Sequence, residues 1–421
     1  MRLLELELEN FRGTKNQVIQ FDGKTTILFG VNGTGKSTIL RGINVIFSKI
    51  IQKIVQGRYK QAINIKKEDI RFGESKTKIK LSFKLDEMSE PLIYSRSMER
   101  KTNKAKDDQK LLNEISGVFE NLFFEDENVG VPIFVNYGVH RVVLDIPLRI
   151  KKNHSFDKIS AFEKSIESKI DFRTFFEWFR NQEDFENEMK VNEDSDYVDI
   201  SLKSVRSAIY KMLDGFSDMR VKRSPLRMTI SKNGMTLEMG QLSDGEKCTI
   251  SLIGDLARRL ALANPHISNP LEGKGIVLID EIELHMHPTW QRRIIPILKD
   301  TFPNIQFIIT THSPQVLGEL DDSVNIYSIN QENNQSIAEK LKSLIAWDSN
   351  LILEELMETS SLNLDIKEKV TRLFELIQEK KYRESSELAN EIDDLSHGTN
   401  TDIIKARILI ARGEKTNEKN N

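Results

Sequence analysis

The chain has 421 residues, 38 % hydrophobic and 30 % charged, and its 61 basic and 64 acidic side chains leave a formal charge of −3. At about 150 residues per domain this is enough for two to three domains with a sizeable core, and the near-neutral balance argues against coating nucleic acid by bulk electrostatics. No run of about 18 uncharged apolar residues occurs, so no membrane-spanning helix is expected.

The N-terminal stretch MRLLELELENFRG alternates apolar and acidic residues and lacks the basic-then-apolar order of a secretion signal, so the expected location is cytoplasmic. Cys248 is the single cysteine, which is too few for a disulfide or a structural zinc site. Its apolar neighbours predict a buried, inert thiol.

Leu3 to Leu8 alternates in period two, and Thr25 to Phe29 is a short run ending at a glycine; both predict strands. Ser37 to Val55 has the apolar spacing of a helix with a broad buried face. Ile79 to Leu85 alternates again, with Leu92 to Tyr94 as a partner. Nine of the fifteen residues from Arg96 to Lys110 are charged, which predicts an exposed, mobile loop. Val131 to Tyr137 predicts another strand. Phe156 to Met189 carries three-to-four spacing and an aromatic cluster, and Leu202 to Phe216 predicts a second helix, together an inserted arm. Leu226 to Ile230 and Met235 to Met239 flank SKNG as a hairpin. Ile276 to Ile279 and Phe307 to Thr310 have the fully apolar character of strands central to a parallel sheet. Ser336 to Ala411 reads as helical throughout, with a polar tail.

The strongest motif is Gly30 to Ser37, GVNGTGKS, between a predicted strand and a predicted helix. Glycines let successive backbone N–H groups point at phosphate oxygens, and the helix N-terminus adds its positive dipole end. Lys36 then reaches the β- and γ-phosphates of ATP, and the Ser37 hydroxyl is a Mg²⁺ ligand. Asn32, Gly33, Thr34, Gly35 and Thr38 complete the cradle. Asp280 and Glu281 end the apolar strand VLI, where open α/β sheets bind ligands; Asp280 would hold Mg²⁺ and Glu281 would polarise the attacking water. Ser243, Asp244, Gly245 and Glu246 open a further helix, with Ser243 and Glu246 spaced as a capping box. His312 follows the second apolar strand about thirty residues after the carboxylates.

These four motifs, in this order, resemble the ABC-type ATPases of the RecF, SMC and Rad50 branch. The resemblance covers Met1 to about Ser328. It implies a P-loop α/β head of mixed sheet and helices, with GVNGTGKS as Walker A, LSDGE as the signature, VLIDE as Walker B and His312 as the H-loop switch. It also implies a head-to-tail homodimer, or a higher oligomer, in which Ser243 and Gly245 of one subunit meet the γ-phosphate held by Lys36 of the other. Arg12 matches an N-terminal arginine brought towards the nucleotide; a plain surface arginine is the alternative. A Q-loop glutamine is not evident, and Asn136 is a weak stand-in.

The segments DEIELHMHPTWQ, FPNIQF and THSPQ are similar to ATPases of prokaryotic defence systems. VNYGVHR and FFEWFRNQEDFENE resemble one group among them, the Septu and retron-associated ATPases. That resemblance implies an HNH nuclease partner and, in some systems, a retron reverse transcriptase with its msDNA. A DNA-repair ATPase that binds DNA directly is the alternative.

The expected organisation is an ATPase N-lobe over 1–150, an inserted helical arm over 151–218, a C-lobe over 219–335, and a helical partner-binding segment over 336–421. No nuclease constellation is found, and His397 lacks companions. His285 and His287 have no third ligand and are expected at an interface. Arg220, Lys222, Arg223, Arg227 and Lys232 cluster around the predicted hairpin, either as a DNA-facing patch or as a charged, solvated edge.

Overall fold

The computed structural model describes the backbone of residues 1–58, 62–102, 105–124, 129–139, 156–333, 335–341, 344, 347, 349–356, 364–396 and 401–420. His140 and Arg141 of VNYGVHR, Ile345 and His397 lie outside these residues. The chain divides into two compact units, Met1–Trp347 and Asp348–Asn421.

The larger unit begins with β1 (Arg2–Phe11), β2 (Thr14–Gln20) and β3 (Thr26–Phe29), followed by α1 (Lys36–Ile54). Then come β4 (Lys76–Lys84), β5 (Leu92–Glu99), β6 (Ala105–Asp107), α2 (Gln109–Phe124) and β7 (Ile133–Tyr137). Helices α3 (Phe172–Asn192) and α4 (Ile200–Met212) precede β8 (Phe216–Arg223), β9 (Leu226–Lys232), β10 (Met235–Glu238) and α5 (Asp244–Ala263). The remainder is β11 (Gly275–Ile279), α6 (Pro288–Thr301), β12 (Ile305–Thr311), α7 (Pro314–Leu317), β13 (Asn325–Glu332) and β14 (Gln335–Leu341).

Three sheets result. The central one has strand order β14-β13-β3-β12-β11-β7. All its pairings are parallel except that of β14 with β13. Every residue of β3, β7, β11 and β12 is buried, which is why these strands are dominated by apolar residues and carry no charged one. The second sheet, β2-β1-β4-β5-β6, is antiparallel, and β4 alternates between buried and half-exposed positions as a one-sided sheet requires. Strands β10, β9 and β8 form the third.

Four sequence expectations change. Within Arg96 to Lys110 the described residues are largely regular structure, with Arg96 to Glu99 ending β5, Ala105–Asp107 forming β6 and Gln109 opening α2: Arg96 is buried at 1 % exposure, and its Nε donates to Asp107 Oδ1 at 2.8 Å across the β5–β6 pair. Its charge is internal because Asp107 neutralises it and the Val45 and Ile63 carbonyls accept from its guanidinium. Ser336 to Leu341 is a strand, not a helix, since β14 closes a hairpin on β13. The stretch from Phe156 forms only a short 3-10 turn over Lys158–Phe162 before α3 begins at Phe172, and its backbone runs beside β7 instead. There Asn136 N–H donates to Ser165 O at 2.7 Å and Gly138 N–H to Ser168 O at 3.0 Å. Helix α2 has no counterpart in the sequence reading; it buries Leu112, Ile115, Phe119 and Leu122 on one face.

Helices α3 and α4 pack on α5. Phe175, Phe176, Trp178 and Phe179 are fully buried, so the aromatic cluster is core. Gly254 of α5 is part of that fit, because a Cβ there would lie 2.9 Å from the Phe175 ring. Inside α5, Asp255 is held at a pKa of about 2: burial would raise it, and Arg259 and Arg258 outweigh that effect. The same carboxylate accepts from Tyr137 Oη at 2.8 Å, tying α5 to β7.

The smaller unit begins with the helical turn α8 (Ser349–Leu351) and contains α9 (Leu364–Gln378), α10 (Tyr382–Ser396) and α11 (Thr401–Asn420). Its core is formed by Val370, Leu373, Ala389, Ile392, Ile403 and Ala406. No helix among the described residues is long and apolar enough to cross a membrane.

Candidate functional site

The loop between β3 and α1 has the backbone that phosphate binding requires. Gly30, Gly33 and Gly35 have φ of 147°, 86° and 110°. A Cβ on Gly30 would lie 2.3 Å from the Ile329 carbonyl, so both conformation and space demand glycine there. Asn32 and Gly33 form the exposed tip, while Thr34 is buried and donates to Val31 O at 3.0 Å. Thr38 N–H closes the first turn on Gly35 O at 3.0 Å. The Lys36 ammonium is folded into the loop, donating to Gly30 O at 2.7 Å and Val31 O at 2.9 Å. Burial lowers its pKa, and the nearby carboxylates of Glu283, Glu281 and Asp280 counter that in decreasing order.

Parallel pairing of β3, β12 and β11 brings the remaining groups to the same sheet edge. The Ser37 hydroxyl donates to Asp280 Oδ1 at 3.1 Å, and Thr310 Oγ1 donates to the same oxygen at 2.6 Å. Two hard oxygen donors at a strand end, beside the phosphate loop, suit Mg²⁺. Glu281 has φ of 48°, a region rarely adopted by glutamate, and its N–H donates to Thr310 Oγ1 at 2.8 Å. That unusual backbone turns the chain out of the strand immediately after the carboxylate pair.

His312 follows β12, and its side chain is 40 % exposed. Its N–H donates to Glu283 Oε1 at 2.7 Å, and its Nδ1 lies 3.0 Å from the same oxygen. In the sequence only the spacing D-E-x-E marks Glu283, and Thr310 is masked there by the apolar run that precedes it.

Ser243 caps α5: its Oγ accepts from Glu246 N–H, and Glu246 Oε2 accepts from Ser243 N–H at 2.9 Å. Lys232 of β9 pairs with Glu246 at 2.6 Å and, after the opposing effect of burial, is the leading cause that lowers the Glu246 pKa. Asp244 is exposed. Among the described residues, no hydrogen bond joins Ser243 or Gly245 to the phosphate loop. Gly245 faces the loop after β11 instead, where a Cβ would meet His285 O at 2.3 Å.

Arg12, at a left-handed turn, donates from Nε to Asp69 Oδ1 at 2.8 Å, and Arg41 binds the same carboxylate through two nitrogens. Asp69 is held at about 2: burial pushes it up, and Arg41, the Lys66 backbone N–H and Arg12 bring it down further. Asn136 spends its amide on Ile166 O and Ser168 Oγ. His287 caps α6, its Nδ1 accepting from Thr289 N–H, and His285 is exposed; the described residues include no metal-binding cluster. Cys248 is buried. Of the basic hairpin residues, Arg220 pairs with Asp218, Arg223 with Glu183 and Asp184, Arg227 with Glu238 and Lys232 with Glu246.

The family described as "AAA domain, putative AbiEii toxin, Type IV TA system" matches residues 25–318, spanning the phosphate loop, the carboxylates and His312. The chain belongs to that family. It is 32 % identical to the "Retron Ec83 probable ATPase" of Escherichia coli over 86 % of this chain and 77 % of that protein. It is 28 % identical to the "Septu protein PtuA" of Bacillus mycoides (strain KBAB4) over 80 % of this chain and 42 % of that one. The fold is similar to an SMC head bound to the C-winged helix domain of ScpA, with a TM-score of 0.50 and 16 % identity over 81 % of this chain and 98 % of that one. The resemblance read from the motifs, to ABC-type ATPases of defence systems, agrees with these relatives.

Proposed function

We propose that the chain is the ATP-hydrolysing sensor and regulator of an anti-phage defence complex, dimerising head to tail around ATP and controlling an associated HNH nuclease. The observation that carries the enzymatic part is the convergence of Lys36, Ser37, Asp280, Glu281 and His312 on one edge of the central sheet. Lys36 is already poised beside the phosphate loop, and ATP phosphates would exchange its two carbonyl contacts for charge-assisted ones. Ser37 and Asp280 would hold Mg²⁺, which neutralises phosphate charge when bound. Glu281, turned out of the strand end, orients and polarises the attacking water, and His312 faces the transferred phosphate.

The dimer is what the resemblance to ABC-type ATPases implies, and the placement of Ser243 and Gly245 supports it: they open a helix whose N-terminal end suits a γ-phosphate, and among the described residues they make no hydrogen bond to their own phosphate loop. A second copy supplying that helix completes the site. The retron and Septu relatives support a defence role; the partners, an HNH nuclease and, in retron settings, a reverse transcriptase with its msDNA, are those the motif resemblance implies. The helices of the smaller unit are the segment we assign to partner docking.

Glu281→Gln tests this reading. ATP turnover is expected to vanish while light scattering after size exclusion reports an ATP-dependent dimer; hydrolysis at the wild-type rate would show that Glu281 is not the base. Co-expression with the neighbouring reading frame tests the partner, and the absence of an HNH protein co-eluting in fixed stoichiometry would remove it.

A further inference from the structure

Glu283 is a buried carboxylate with no role in the reading above, and its surroundings are specific. It is 7 % exposed and sits two residues beyond Glu281, on the segment that leaves β11. That segment is stitched to β12 by Glu281 N–H to Thr310 Oγ1 at 2.8 Å and Ile282 N–H to Thr310 O at 3.1 Å. One carboxylate oxygen, Oε1, accepts from the His312 backbone N–H at 2.7 Å and lies 3.0 Å from His312 Nδ1, a close approach without an aligned hydrogen bond at that nitrogen. The other, Oε2, is buried without a hydrogen-bond partner. A buried carboxylate with an unused oxygen is costly unless it serves something nearby. The imidazole lies beside Oε1, and the Lys36 ammonium is within electrostatic reach of the carboxylate.

We infer that Glu283 is the positioning residue for His312, fixing the backbone at that position through the N–H hydrogen bond and setting a carboxylate beside the imidazole, so that the ring is presented to the reacting phosphate. The inference rests on the ATPase reading of this site.

The chemistry follows from the two ring nitrogens. The negative charge 3.0 Å from Nδ1 favours a proton on that nitrogen, and the backbone hydrogen bond fixes where the ring emerges; full alignment of Nδ1–H with the carboxylate would then set the tautomer, as it does for metal-bound histidines. The next residue is anchored to the same segment: Ser313 Oγ donates to Gln291 Oε1 at 2.6 Å, and Gln291 Nε2 donates to Met286 O at 2.8 Å. The backbone on each side of the imidazole is thus tied to the chain that carries Asp280 and Glu281. Glu283 is also the foremost of the three carboxylates whose charge acts on the Lys36 ammonium, which places it within electrostatic reach of the phosphate loop.

A double-mutant cycle between Glu283→Ala and His312→Ala, read as steady-state ATP hydrolysis, is the test. Glu283→Ala is expected to lower kcat about tenfold to a hundredfold, the range found for lost carboxylate partners of functional histidines, with KM for ATP within about twofold. In the His312→Ala background, where only the backbone hydrogen bond remains to be lost, the further fall in kcat should be much smaller. Glu283→Gln keeps the shape and an acceptor for the His312 backbone N–H, so it should melt at the wild-type temperature and recover part of kcat relative to Glu283→Ala. Additive losses in the cycle would overturn the inference, and so would a rise in KM with kcat unchanged, because Glu283 would then act on nucleotide binding. Glu281→Gln is measured alongside. If it hydrolyses ATP at the wild-type rate, the site reading falls and this inference with it; if it is inactive while the cycle is additive, only the role of Glu283 falls.

Discussion

The Ser37 hydroxyl donates to Asp280 Oδ1 at 3.1 Å, joining two residues 243 positions apart in the chain. Neither is fixed by its own segment alone. Ser37 is set by the first turn of α1 and Asp280 by the end of β11, and the two meet because β12 lies between β3 and β11 in the sheet. Thr310, from β12 itself, binds the same carboxylate oxygen and is the link between them.

Asp280→Asn therefore removes a charged oxygen donor without changing shape. ATP turnover should fall on the order of a hundredfold, as expected when the Mg²⁺ that would oppose developing phosphate charge is held less well. Titration of Mg²⁺ against a fluorescent nucleotide should show the metal dependence of binding flattened.

Sharing of sites between copies predicts complementation. Ser243→Arg and Lys36→Ala should each be inactive alone, and Ser243→Arg should still bind ATP. When the two proteins are mixed, one of the two sites in a mixed dimer contains both native groups, so turnover should return to a fraction of the wild-type rate. An inactive mixture would mean that each chain completes its own site.

Gly245→Ala places a methyl group 2.3 Å from His285 O, so either the first turn of α5 or the loop after β11 must move. Overpacking of this kind costs about 1 to 3 kcal/mol. A lower melting temperature is expected together with slower turnover, since the displaced loop also carries Asp280 and Glu281. Gly33→Ala is the contrast: its Cβ would meet nothing, and only the positive φ opposes it.

The Asp69 carboxylate, held at about 2 against an ordinary value of 3.8, carries a pH signature. Its depressed folded-state pKa stabilises the fold by about 2 kcal/mol above the unfolded value, and that contribution is lost as pH falls from about 4 towards 2. Asp69→Asn should lower stability in urea at pH 7 by a similar amount, and the difference from wild type should shrink below pH 4. It also releases Arg12 and Arg41 from their shared anchor, so a change in ATP affinity in this variant would report whether Arg12 reaches the nucleotide.

Local motifs were legible because their chemistry is local. The phosphate loop needs glycines at three positive-φ positions and a lysine immediately after them, and all of this lies within eight residues. The strands of the central sheet were readable because burial on both faces leaves a run dominated by apolar residues, and the capping box of α5 because its two partners are three residues apart.

The misreadings came where a distant partner reverses what composition suggests. Charge made Arg96 to Lys110 look solvated, yet Arg96 is internal because Asp107 of the next strand and two carbonyls from elsewhere satisfy it. Ser336 to Leu341 became a strand because β13 offered it an edge. For the basic hairpin the sequence left a DNA-facing patch and a charged edge both open, and the carboxylate partners that the fold supplies come from α3, from Glu238 of the hairpin itself and from α5. Sequence alone thus determined the family of chemistry, since phosphate binding and strand burial are written in neighbouring residues. Tertiary structure decided which charges are neutralised and which carboxylate holds His312, because a hydrogen bond depends on distance in space and Glu283 reaches the histidine only once β11 and β12 pair.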